Sequence, residues 1–408
     1  MATLITGTTV AQVIPIALSP ILTRIYSPDD FGILTLYVSI CAIFSVISTL
    51  RYELAIVQPR SNKDAKSIVI ISLVIVSVLS AILLVSATLI NILELDIFKD
   101  KSIYIWLYFV PFSVFFMGLY NISNYWLLRE GQYREMSKSK MVQGTSLSIS
   151  KVLIGLIKNN GLIIGHIIGQ FFSTMYVFKR SNKYWSNIEK PSKIRIKRNL
   201  TEYKAMPLYS SPGAFADTLS SQLPVFTITY FFGSFITGFF GLTFRILNMP
   251  AALVSSAISQ VILKEIMDRE HNKSQKNLIS FVLKIFFSLL ALITPFGIFI
   301  WFFGESVFSI VFGENWSQAG SMSSILIIAV VIRFSVSPLS SILSVKENIK
   351  LGVLWQFCYL VTLSSTLMFF SKSKLDIFLW AFVIHEVAIY SLYLLMILIG
   401  AKRLQGVK

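Results

Sequence analysis

Charge and cysteine are what this 408-residue chain has least of. Only 14% of its residues are charged, against about a quarter in an ordinary soluble domain, too few to coat a water-soluble fold of this size. The two cysteines, Cys41 and Cys358, sit far apart inside apolar runs, which excludes a disulfide framework and a thiolate metal site. Three histidines and no cluster of His, Cys and carboxylate argue against haem, iron–sulfur or zinc chemistry. A Gly-rich phosphate loop is also missing, and the connections are too short to fold a nucleotide-binding domain. Energy for any transport must therefore come from an ion gradient or from consumption of the product.

What the chain has instead is apolar length. A bilayer core of about 30 Å asks for roughly 20 apolar residues per helical span. Twelve such runs can be read, near 2–23, 32–57, 67–93, 103–128, 139–157, 161–178, 207–231, 237–263, 278–303, 319–345, 351–371 and 375–400. This predicts an all-α integral membrane protein with twelve transmembrane helices. The longest connection, 179–206, is strongly basic and separates a first set of six helices, 1–178, from a second, 207–408. The first run has no basic leader or cleavage site and eleven others follow it, so it reads as a retained helix and not a signal peptide.

The net charge of +16 reports topology. Even-numbered connections and the C-terminal tail hold 25 Lys and Arg, whereas odd-numbered connections hold 6. The positive-inside rule then puts both termini and 179–206 in the cytoplasm. No nucleic-acid partner is needed to explain the basic balance. The remaining five bases, Arg51, Lys151, Arg245, Lys284 and Arg333, fall within spans. A faint internal repeat accompanies the division: Pro15 and Phe31-Gly32 recur 209 residues later as Pro224 and Phe240-Gly241, a parallel repeat with hinge or cavity prolines at matching places.

In-span charge is the sharpest functional signal, because a charged residue at mid-bilayer costs about 2.5–3.5 kcal/mol and usually faces a bundle interior or a water-filled path. Arg245 and Arg333 are the deepest bases; Arg51 and Lys284 are close enough to span ends to snorkel. Guanidinium groups grip phosphate oxygens bidentately, so this excess of bases suits an anionic cargo. Proton or sodium coupling would instead need a carboxylate, and Asp217, Glu53 and Glu386 are the candidates, with Asp217 also a possible resting partner for Arg245. His385, beside Glu386, reads as a polar side chain bonded to a neighbouring helix. Ser27-Pro28-Asp29-Asp30 could suggest a metal site of a sugar transferase, but an N-cap Ser, Pro at the first helical position and acids in the first turn are the pattern of a helix start.

Four stretches resemble recurring signatures of bacterial oligosaccharide flippases: TRIYSPDDFGILTLY (23–37), LRYELAIVQPRSNKDA (50–65), NYWLLREGQYREMSKSKMVQG (124–144) and FGENWSQAG (312–320). These are the O-antigen and polysaccharide-unit translocases of the multidrug/oligosaccharidyl-lipid/polysaccharide exporter superfamily. The resemblance implies two six-helix lobes around a central cavity, joined by the 179–206 linker. It implies alternating access in the bacterial inner membrane, moving undecaprenyl-pyrophosphate-linked oligosaccharide from the cytoplasmic to the periplasmic leaflet. The implied partners are that cargo, membrane lipids, and a polysaccharide polymerase and chain-length regulator of the same pathway. No cofactor beyond a proton or sodium gradient is implied. By position in the family's pattern, Arg24, Arg51 and Arg245 would bind the diphosphate, joined by the in-span Arg333. Chains of this kind usually carry a short basic segment before the first helix, so a start upstream of Met1 is an expectation. The competing functions are a cation-coupled drug antiporter of the same fold, which should be richer in in-span acids, and a polytopic glycosyltransferase or polymerase, which should have a larger outer loop.

Overall fold

The computed structural model describes residues 2–95, 98, 100–157, 161–272, 278–345 and 348–406, and no β-strand occurs among them. All twelve apolar runs are helical, but several are broken where the local chemistry demands it. The first run is α1 (Ala2–Ala17) and α2 (Ser19–Ile25), jointed at Leu18 between Pro15 and Pro20. Prolines here remove backbone donors, and the Ser19 hydroxyl donates to the Pro15 carbonyl at 2.7 Å across the joint. The second run does not continue to residue 57 as one helix. Its helix α3 (Pro28–Val46) gives way to a turn and a 3₁₀ helix, Tyr52–Val57. Then follow α4 (Asn62–Ile92), α5 (Ile103–Leu107), α6 (Val110–Arg129), α7 (Tyr133–Gly155) and α8 (Leu162–Trp185).

The basic connection folds too, into the helix α9 (Lys193–Glu202), and a π-helical turn leads from it into α10 (Ser211–Phe232). The remaining helices are α11 (Ser234–Asn272), α12 (Leu278–Phe312), α13 (Ser317–Val336) with a 3₁₀ extension to Ser344, α14 (Ile349–Phe370) and α15 (Leu375–Gly406). Among the described residues, eight segments are long and apolar enough to cross a membrane. The first run contributes a shorter apolar stretch, Ala11–Ile25, and α7 is distinctly more polar than the spans in that set. A helix of that polarity inside a bilayer must turn its polar groups to protein or water.

Packing divides the chain into two compact units, Met1–Gly238 and Phe239–Lys408. The division falls at Gly238 and not at the basic connection, because α10 packs along α3 and α9 docks on α4. In the first unit α7 lies between α1 and α8. A second cluster joins Tyr52, Ile56, Ile68, Ile122 and Trp126, with Ile196 and Tyr203 of the α9 region packed against it. In the second unit α12 packs on α13, and α15 on both α13 and α14, with Leu289, Ile293 and Phe334 at one centre. The FGENWSQAG stretch is structural there: buried Trp316 meets Phe239 edge-on at 5.7 Å, and Thr243 Oγ1 donates to the Ala319 carbonyl at 2.8 Å.

Candidate functional site

The turn after α3 presents Arg51. Leu50 and Arg51 both have left-handed backbones, at φ 48° and 64°, which costs a residue with a Cβ on the order of 1 kcal/mol each. The surroundings hold that strain in place. Arg129, the last residue of α6, donates from Nη1 to the carbonyls of Ile56 (3.1 Å) and Pro59 (2.6 Å) and from Nη2 to Asn62 Oδ1 (3.0 Å). Tyr52 donates its hydroxyl to the Leu200 carbonyl of α9 at 3.0 Å. Glu53 is buried, accepts a hydrogen bond from Thr49 Oγ1 and stands 3.9 Å from Arg51. The Arg51 side chain stays 29% exposed, and its buried Nε has no hydrogen-bond partner. The sequence shows neither the left-handed turn nor the Arg129 clamp, although Arg129 stands in the third signature stretch.

At the opposite end of α3, Ser27 and Asp30 form the capping box that the helix-start pattern predicts: Asp30 N–H donates to Ser27 Oγ at 3.2 Å and Ser27 N–H to Asp30 Oδ2 at 3.0 Å. Asp29 is not a cap. Its carboxylate and that of Asp100 both face the Ser234 hydroxyl, which lies 2.8 Å from Asp100 Oδ2. Burial opposes ionisation of Asp100, but hydrogen bonds from Ser102 and Ser234 outweigh it and hold its pKa below the ordinary aspartate value. The backbones touch here. A Cβ on Gly32 would lie 1.8 Å from the Ser234 carbonyl oxygen, and one on Gly238 would lie 1.8 Å from that of Pro28, so only glycine fits either position. The first, third and seventh connections, all poor in Lys and Arg, are thus latched together.

The candidate residues are not one cluster. Arg24 is exposed on α2, where Nη1 donates to the Pro20 carbonyl at 2.8 Å. It is separated from Arg51 by the 19-residue α3, about 28 Å long, so the two cannot grip one diphosphate together. Asp217 is exposed on α10 in the first unit. In the second unit, Arg245 is half-buried on α11 and has no hydrogen-bond or ion-pair partner among the described residues.

Arg333 and Glu386, read separately as cargo and coupling residues, form a pair: Arg333 Nε is 3.5 Å from Glu386 Oε2. Glu386 is fully buried and accepts the Tyr359 hydroxyl at 2.8 Å. The Arg333 guanidinium lies 5.5 Å from the ring centres of both Phe244 and Tyr390. Trp355 stacks between Tyr359 and Tyr393 behind the pair. His385 bonds Thr362 of α14 at 3.0 Å through Nε2, the inter-helix contact expected of it. A guanidinium so enclosed has its counter-charge within the protein, so Arg333 and Glu386, expected as separate cargo and coupling candidates, stand as one ion pair.

Known proteins place this architecture. A membrane protein encoded in the cps region of Klebsiella pneumoniae, itself of uncharacterised function, is 22% identical over 354 residues, 86% of this chain and 71% of that one. The lipid II flippase MurJ in an inward closed conformation superposes with a TM-score of 0.73 at 13% identity, covering 97% of this chain and 87% of MurJ. An inward-facing multidrug-resistance MATE transporter of the MOP superfamily gives 0.66 at 15% identity, covering 100% and 96%. These likenesses establish the fold, twelve helices in two lobes as in those transporters. Residues 21–321 match the family described as polysaccharide biosynthesis protein, and the chain belongs to that family of multi-pass membrane proteins.

Proposed function

We propose that this chain is a flippase that carries undecaprenyl-pyrophosphate-linked oligosaccharide from the cytoplasmic to the periplasmic leaflet of the bacterial inner membrane by alternating access, with both termini in the cytoplasm. The observation that carries the reading is Arg245: a half-buried guanidinium on a membrane-spanning helix with no counter-ion among the described residues. A charge in that position is expected to draw an anion from its cargo, and a pyrophosphate supplies oxygens in the geometry a guanidinium binds. Two of the three candidate coupling acids are taken: Glu53 faces Arg51 and Glu386 faces Arg333. That balance favours an anionic cargo over the cationic substrate of a drug antiporter.

In this reading Arg51, held out on its strained turn at the basic-rich end of the first unit, meets the headgroup on the cytoplasmic side and Arg24, beyond α3, meets it on the far side, while Arg245 is the pyrophosphate ligand that the second unit contributes. The test is complementation in cells lacking their own O-unit flippase. Restored surface polysaccharide with the parent chain, and none with Arg245→Ala at normal protein level, is expected. Full restoration by Arg245→Ala would remove the basis of the proposal.

A further inference from the structure

The helix α9 is docked by one face only. At a hundred degrees per residue, Arg195, Ile196, Asn199 and Tyr203 fall on one side, and Lys193, Ile194, Lys197 and Leu200 on the other. The first set is anchored. Asn199 bonds Ser67 and Asp64, Arg195 Nη1 lies 3.1 Å from Asp64 Oδ1, and Ile196 and Tyr203 pack on the buried cluster around Tyr52. The side chains of the second set make no hydrogen bond or ion pair among the described residues, and all four residues are exposed, Ile194 at 83%. Exposed Lys190 and Lys204 flank the helix on either side, their ammonium groups likewise without an ion-pair partner among the described residues.

Two lysines alternating with two aliphatic side chains match a membrane interface, where ammonium groups meet phosphates and short apolar side chains enter the acyl boundary. A water-facing helix has no use for an isoleucine that exposed, and an apolar protein partner would not select the lysines. We infer that the outer face of α9 is a binding surface for the anionic phospholipid headgroups of the leaflet it lies against, the cytoplasmic one by the distribution of Lys and Arg. Seating α9 there also bears on the site, because the Leu200 carbonyl on this helix accepts the hydroxyl of Tyr52, the residue after Arg51. Leaflet charge is thereby connected to the turn that presents Arg51.

The experiment uses the full chain in lipid nanodiscs, with Cys358→Ala removing the exposed native thiol and Ile194→Cys carrying an environment-sensitive fluorophore; Cys41 is buried. Phosphatidylcholine discs are compared with discs of phosphatidylcholine mixed with phosphatidylglycerol. The expected result is a blue shift and loss of aqueous quenching in the anionic discs, reversed by high salt. Lys193→Gln with Lys197→Gln should weaken that response about thirtyfold, roughly fivefold per lysine. Identical spectra in both lipids, or an undiminished response in the double variant, would overturn the inference. So would a shift produced in phosphatidylcholine discs by inorganic pyrophosphate, which would mark a soluble-anion site. No cargo is involved, so failure here is distinguishable from failure of the flippase reading.

Discussion

A guanidinium within a bilayer must be neutralised by protein, water or cargo, and the second unit contains both a paired and an unpaired example. Arg333 is balanced by Glu386 and enclosed by aromatic rings; Arg245 is not balanced by any described residue. The difference predicts opposite mutational behaviour. Glu386→Ala leaves a buried cation uncompensated and should cost about 3–5 kcal/mol, seen as loss of protein from the membrane, whereas Arg333→Met with Glu386→Leu should recover abundance. Abundance that stays low in the double variant would deny the pair a purely structural role. Arg245→Ala should insert normally, since removing an in-span charge does not oppose insertion, and should lose transport. Arg245→Lys should keep a residue of activity, because the charge survives without the bidentate fork.

Elements show how the ends of α3 are used, one as a latch and the other as a presented turn. Asp29→Asn with Asp30→Asn keeps oxygen acceptors at the cap and at Ser234, so transport measured at equal protein level should fall only mildly. Complete loss at normal abundance would revive the transferase reading. Gly32→Val, which forces side-chain atoms into the Ser234 carbonyl, should be far more damaging than either substitution. At the other end, Asp64 anchors α9. Burial opposes its ionisation, but the Asn199 hydrogen bond and the Arg195 and Arg198 cations outweigh it, and its pKa is lowered. A depressed carboxyl stabilises docking above the ordinary aspartate pKa of about 3.9 and loses that contribution as pH falls through its folded value. Limited proteolysis around α9 should therefore be constant through neutral pH and rise in strong acid, and Asp64→Asn should show the raised susceptibility already at pH 7. The partly exposed pair supports an effect of about 1 kcal/mol.

At the scale of the molecule, the number of apolar runs was legible and helix continuity was not. Apolar length alone identifies all twelve runs, because bilayer thickness sets a span of about 20 residues. The break after Val46 was hidden, since Leu50 and Arg51 adopt a conformation that no local composition announces. The capping box could be read from adjacent residues; the Asp29–Ser234 and Arg333–Glu386 contacts could not, because they join residues 205 and 53 positions apart. Charge counting gave a topology that fusions can check: a reporter active only in the periplasm should signal after Glu314 and remain silent after Lys190 or Lys408. A signal at Lys190 would place α9 on the wrong side for the proposed path.

The most direct test is transbilayer movement itself. Proteoliposomes carrying the purified chain and a labelled undecaprenyl-pyrophosphate-linked oligosaccharide should expose the inner-leaflet glycan to an added glycosidase at a rate well above protein-free vesicles, and Arg245→Ala should return that rate to background. Equal rates in the parent and Arg245→Ala vesicles would contradict the role assigned to the unpaired arginine, and no acceleration by the parent chain under an imposed ion gradient would contradict the flippase itself.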